Sequence, residues 1–151
     1  MKMFTFASET PYRRYDEHFG PFNEILLCEE KNLRKERLDL GMNVIFSHDQ
    51  QKPVGLVKEY KIKDRKVWAG IDWSSGDFAQ QVKKDFEDGI LPNVSIDYIV
   101  HKYEKIGEDW YAVDWELLAL SVGVSIPADP TVGVRGLDKR NILFRSIPEY
   151  N

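Results

Sequence analysis

Asn93-Val94-Ser95-Ile96-Asp97-Tyr98-Ile99-Val100-His101-Lys102-Tyr103 alternates with a period of two. Val94, Ile96, Tyr98 and Val100 form one face, and Ser95, Asp97, Ile99 and His101 the other. That is the pattern of a β-strand with one buried side. Gly107-Glu108-Asp109 turns the chain, and Trp110 to Glu116 returns as a hairpin partner. Leu117 to Ile126 stays extended until Pro127-Ala128-Asp129-Pro130 closes it.

Upstream of this hairpin the period changes. Phe78, Val82 and Phe86 are spaced i, i+4, i+8, one apolar stripe on a helix. Ser74 or Ser75 suits its N-cap, Asp77 its positive end, and Gly89 with Pro92 its stop. The spacing predicts one firm helix over about 75–88. Val54 to Lys63 alternates again and pairs with Lys66 to Trp73 across Asp64-Arg65, a hairpin-length connection. Met42 to Phe46 and Ile25 to Cys28 are further strands, with Gln50-Gln51-Lys52-Pro53 as a turn. Lys31 to Leu40 suits a short helix stopped by Gly41, and the first 22 residues are rich in aromatics and turn formers. Six or seven strands and one firm helix predict a mainly β fold with attached helices (α+β). The expected architecture is a small, mostly antiparallel β-barrel or sandwich.

The 151 residues are expected to form a single domain over 1–151, large enough for a core without staples. Net charge is −4, which disfavours a nucleic-acid binder. Mean hydropathy is −0.45, and no apolar run approaches the ~18 residues of a membrane helix. A single cysteine, Cys28, excludes a disulfide scaffold, and it reads as a buried small hydrophobe. The N-terminus lacks a signal-peptide core, so the expected setting is intracellular. One cysteine and three scattered histidines show no zinc-ligand spacing, and no phosphate-binding glycine loop occurs. No cofactor and no metal are expected.

Three histidines, eight serines and 25 carboxylates make the bare presence of a Ser-His-acid set uninformative. Position narrows it. His48 lies in Phe46-Ser47-His48-Asp49, at a strand end where a ring can face a cleft. The bland alternative is a solvated loop histidine capped by Asp49. Ser95 shares a strand face with Asp97, and the bland alternative is an ordinary strand serine. His101 lies six residues beyond Ser95, roughly 20 Å along a strand, too far to serve it.

Three segments in order resemble one family. They are Val44-Ile45-Phe46-Ser47-His48-Asp49 with Pro53-Val54-Gly55-Leu56-Val57, then Gly89-Ile90-Leu91-Pro92-Asn93-Val94-Ser95-Ile96-Asp97-Tyr98, then Trp115-Glu116-Leu117-Leu118-Ala119-Leu120-Ser121-Val122 running into Ile126-Pro127-Ala128-Asp129-Pro130. Over about residues 24–134 the chain is similar to the caudovirus prohead serine proteases, the capsid maturation proteases of tailed phages. The resemblance implies an assemblin-like barrel, as in the herpesvirus proteases. It also implies a homo-oligomer such as a dimer, working in the host bacterial cytoplasm inside the assembling prohead. It assigns His48 as general base, Ser95 as nucleophile and Glu116 as the orienting carboxylate, with Asp114 on the same parity. The implied activity is a serine endopeptidase that cuts scaffold, capsid-protein segments and itself. Relatives often carry an acid where this chain has Ala119, and glycine where it has Asp97. Those departures support the alternative, a catalytically impaired relative acting as a capsid assembly and interaction module. A third alternative is an unrelated β-barrel binding domain.

Overall fold

The computed structural model describes residues 2–134. In chain order the elements are β1 (Met3–Ser8), β2 (Tyr12–Asp16), β3 (Gly20–Leu26), β4 (Leu33–Arg34), α1 (Glu36–Leu40), β5 (Asn43–Phe46), β6 (Asp49–Lys63), β7 (Lys66–Trp73), α2 (Asp77–Glu87), β8 (Val94–Ile106) and β9 (Asp109–Val122). The fold is mainly β with attached helices.

β9 organises the sheet. One edge is paired along its whole length by β8, from Val94 opposite Val122 to Ile106 opposite Asp109. The other edge takes three parallel partners in succession. β3 lies beside Asp109 to Ala112, β4 beside Trp115 and Glu116, and β5 beside Leu120 to Val122. From β5 the sheet continues antiparallel through β6 and β7 to β1, while β2 flanks β3. Three parallel pairs make the sheet more mixed than the hairpin reading of the sequence predicts.

The alternation is explained by burial. Trp115, Leu117, Leu120 and Val122 of β9 are almost fully buried, in one core with Val44, Val54, Val67 and Phe6. The step from Leu117 to Leu120 skips a residue because the ladder slips between Asp97 and Tyr98 of β8. That irregularity turns Leu118 outward, where it is exposed. Fully burying a side chain of this size contributes roughly 1.5–3 kcal/mol, so the inward face of β9 dominates the core. One buried charge lies beside it. Glu24 is 3% exposed and accepts hydrogen bonds from the hydroxyls of Tyr98 and Tyr103, with Arg14 Nε at 3.2 Å. Burial, and the negative charge beside them, push both tyrosines upward from their ordinary range. A buried carboxylate with this many donors is compensated rather than stranded.

α2 sits where the apolar stripe places it. Ala79, Val82 and Phe86 are buried, and Phe86 packs edge-on against Phe4. Phe78 stays half exposed, its ring against Phe46. Gly76 takes the N-cap expected of Ser74 or Ser75, and Ser74 Oγ accepts the Gly76 N–H at 3.2 Å. α1 is shorter than the Lys31–Leu40 segment suggests, because Leu33 and Arg34 are drawn into the sheet beside β9. Two strands, β1 and β2, occupy the N-terminal stretch whose turn formers hide its alternation. Gln50 to Pro53 is strand, not turn, since Ser47 and His48 alone make the connection. Pro53 sits at a register slip of the β5–β6 ladder, where its missing N–H is tolerated.

Closure differs from the barrel expectation. Among the described residues β1 and β8 are not hydrogen-bonded to each other. The gap between them is bridged by residues 128–134, hereafter the strap. Gly133 N–H donates to Thr5 O at 2.8 Å, and Val134 N–H to Pro92 O at 3.1 Å. A side chain on Gly133 would place its Cβ 2.4 Å from Pro92 O.

Candidate functional site

The β5–β6 turn places His48. Ser47 and His48 both adopt left-handed backbones, at φ 50° and 59°, the two-residue hairpin geometry that matches strand twist. Ser47 N–H donates to Val122 O at 2.8 Å, and His48 N–H to Ser121 Oγ at 3.1 Å. Ser121 is 1% exposed, so its hydroxyl is an interior anchor for the turn.

β9 lies between the strands that carry the two leading residues. Ile45 and Ser95 both pair with Ser121, from opposite edges. The strand bearing Ser95 is therefore one strand further from His48 than direct neighbours would be, about 4.8 Å per step. The His48 ring reaches across to Asp97, with Nδ1 3.4 Å from Oδ1. Both groups are nearly half exposed. Ser95 Oγ makes no hydrogen bond among the described residues and lines the small cavity beneath the strap.

Glu116 has other partners. Its Oε1 lies 2.7 Å from His101 Nε2 and its Oε2 3.4 Å from Arg37 Nε. The hydrogen bond from His101, then that from Arg37, holds this carboxyl below the usual carboxylate range. Asp114 is engaged by Arg34, whose Nε and Nη2 each lie 2.8 Å from a carboxylate oxygen. Two histidine–carboxylate pairs thus lie along β8 and β9, His48 of the β5–β6 turn with Asp97, and His101 with Glu116. Exposed Ile99 and Leu118 belong to the stretches between them.

The sequence pointed to His48, Ser95 and Glu116, and the structure puts the first two near one segment of β9 and the third in a separate cluster. Asp97, counted there as a departure from the family pattern, is the partner of His48. Ser121 was missed as a positioning residue. Its signal is a lone hydroxyl between Leu120 and Val122 in a run otherwise suited to full burial. Among the described residues no group of three or more His, Cys, Asp or Glu is placed to hold a metal ion.

No family model matches the chain, and no solved structure matches it. Among curated proteins it is similar to the major capsid protein of Halomonas phage phiHAP-1. The two are 29% identical over 137 residues, 85% of this chain and 22% of that protein. The chain therefore spans about a fifth of the length of the relative it matches. The finding corrects the expected enzyme class. The similar protein is named a major capsid protein and not a protease, and the serine-peptidase assignment of the chain is withdrawn. What stands is a likeness to part of a phage capsid protein. No helix among the described residues is long and apolar enough to cross a membrane.

Proposed function

We propose that this chain is a non-catalytic capsid-assembly module of a tailed phage, acting with the major capsid protein in the host cytoplasm while the shell is built. The observation that carries this reading is the similarity, over 85% of the chain, to a phage major capsid protein. The resemblance to prohead-protease segments then reflects shared ancestry of the scaffold rather than shared chemistry. Two features support the non-catalytic reading. Glu116, the expected orienting carboxylate, is engaged by His101 and Arg37 rather than by His48. Ala119 also stands where proteolytic relatives often carry an acid.

The test is co-expression of this chain with the major capsid protein of the same phage, followed by sedimentation and electron microscopy. The module should co-sediment with shells, and its omission should reduce closed shells in favour of aberrant ones. Normal shells in its absence, with the module left in the soluble fraction, overturn the reading. A fluorophosphonate probe should leave Ser95 unmodified, and stoichiometric labelling there would refute the non-catalytic assignment.

A further inference from the structure

We propose that exposed Phe19 and Ile106, at the joined tips of the β2–β3 and β8–β9 hairpins, take up residues 139–145 of a second copy of this chain. The contact is head-to-tail, each copy offering its tip to one neighbour and its segment to another. The proposal stands independently of the capsid reading.

The tip is a preformed apolar spot. Asp16 Oδ1 accepts the backbone N–H groups of His18 and Phe19, at 2.8 and 3.0 Å, which fixes the turn that presents Phe19. The Phe19 ring stands edge-on to Trp110 at 5.4 Å, and Lys105 Nζ lies over both rings, at 4.2 and 3.9 Å. Yet Phe19 is 66% exposed, and Ile106, beside Lys105 in the facing hairpin, is 71% exposed. An aromatic ring held in place and left in water is the kind of anchor that interfaces bury. The charge around it is negative. Asp16, Glu17, Glu104 and Glu108 stand on or beside the two turns, against Lys105 and Arg13, and Arg13 is already bonded to Glu108 at 2.8 Å.

That pattern suits a partner apolar at its centre and basic at its flanks. Lys139-Arg140-Asn141-Ile142-Leu143-Phe144-Arg145, beyond the described residues, has that sequence, with Ile-Leu-Phe between three cations and no acid. Reach assigns it to a second copy. Ala128 and Asp129 line a small cavity with Ile96 and Tyr98, and Val134 N–H has come back to Pro92 O. The strap therefore leaves β8 at the end far from Ile106. The 13 residues of β8 span roughly 35–40 Å. Ile142 lies eight residues beyond Val134, a reach of at most about 26–29 Å when fully extended. A copy's own segment falls short of its own tip, and a neighbour's does not. Because the two surfaces differ, the contact is heterologous and repeats from copy to copy as a ring or an open chain.

The test is sedimentation velocity of the full chain from low to high micromolar concentration, at low and at moderate salt. The parent should associate as concentration rises, and less so where salt screens the contact. Phe19→Ser removes the anchor of the tip and Leu143→Ser the centre of the segment, and each should weaken association at least about tenfold. The decisive sample is their equimolar mixture. Phe19→Ser keeps its segment and Leu143→Ser keeps its tip, so the mixture should form a one-to-one pair at twice the 17.6 kDa chain mass that grows no further. A parent that is monomeric at every concentration overturns the proposal. So does a single variant that associates as the parent does, or a mixture no more associated than its components. Where Phe19→Ser disturbs folding, Glu17→Lys/Glu104→Lys takes its place under the same criteria, since both residues are exposed and outside every ion pair among the described residues.

Discussion

Ser47-His48 and Asp64-Arg65 are both two-residue turns in the left-handed region, the first at φ 50° and 59°, the second at 56° and 58°. Their surroundings differ. The first is hydrogen-bonded to β9 through Val122 O and the buried hydroxyl of Ser121, and its ring meets Asp97. The second ends the β6–β7 ribbon, where Arg65 meets Glu9 at 2.8 Å and Trp68 Nε1 donates to Lys63 O at 3.2 Å. Left-handed backbone costs an L residue roughly 1–2 kcal/mol, so both turns carry strain. At the first turn the interior holds the conformation in place. At the second the twist of the ribbon and one partly exposed ion pair do so. A strained turn is therefore no mark of function by itself; its attachment to the core is what distinguishes the two.

The largest effect is expected beneath the first turn. Gly123 has φ +71°, and a Cβ there would lie 2.3 Å from Phe46 Cε1. Gly123→Ala should cost about 2 kcal/mol or more, from backbone strain plus displacement of the Phe46 ring, read as a lower urea midpoint. Next is the anchor. Ser121→Ala removes the acceptor of the His48 N–H and should cost about 1–2 kcal/mol. The matching change at the second turn, Glu9→Gln, should cost clearly less than Ser121→Ala, since Arg65 is mostly exposed and the Gln amide oxygen can still accept the Cys28 N–H. Equal costs for those two variants would erase the distinction between the turns. Smaller again is the gain from relieving strain. Asn-Gly in place of Asp64-Arg65 should raise stability by up to about 1 kcal/mol. The same replacement of Ser47-His48 should gain less, because the His48–Asp97 contact goes with it.

The smallest effect is one of pH. Glu116 has its carboxyl held below the ordinary range by His101 and Arg37. A folded-state value below the unfolded one contributes stability that is present above the unfolded value. That contribution is lost as pH falls through the folded one. Glu116→Gln should therefore lower stability slightly at neutral pH and flatten part of the acid limb, its difference from the parent closing as pH falls through the folded-state value. Urea midpoints between neutral and acid pH read this directly, and a parallel offset at every pH would mean Glu116 acts through packing instead.

How far the sequence reached follows from the range of its signals. The β8–β9 hairpin, the β6–β7 hairpin and α2 were legible because their periodicity is local and their stops are glycine, proline or a two-residue turn. β4 was not, because Leu33 and Arg34 become strand only through a parallel partner some eighty residues on. The open seam was hidden for the same reason: nothing near Gly133 in sequence says that Thr5 and Pro92 are its acceptors. At the candidate site, motif order put His48 and Ser95 near one segment of β9 and assigned Glu116 to His48, whereas the ring faces Asp97. That pairing depends on which carboxylate a slipped ladder turns toward which ring. The activity inferred from the same motifs did not survive the similarity to a capsid protein.

The central place of β9 also sets a timetable for synthesis. β1, β5, β6 and β7 pair among themselves once Trp73 has emerged, except for the edge of β5 that awaits β9. β2 and β3 are a two-stranded ribbon until Asp109 to Ala112 arrive, and such a ribbon is marginal in water on its own. At ~5–20 residues per second, the interval between completion of β3 and arrival of β9 is on the order of 4–17 s. During that time the nascent chain shows the ribosome exit and the chaperones waiting there the bare edges of β3 and β5. Among the described strands, the last to leave the ribosome is the one that joins β3 to β5.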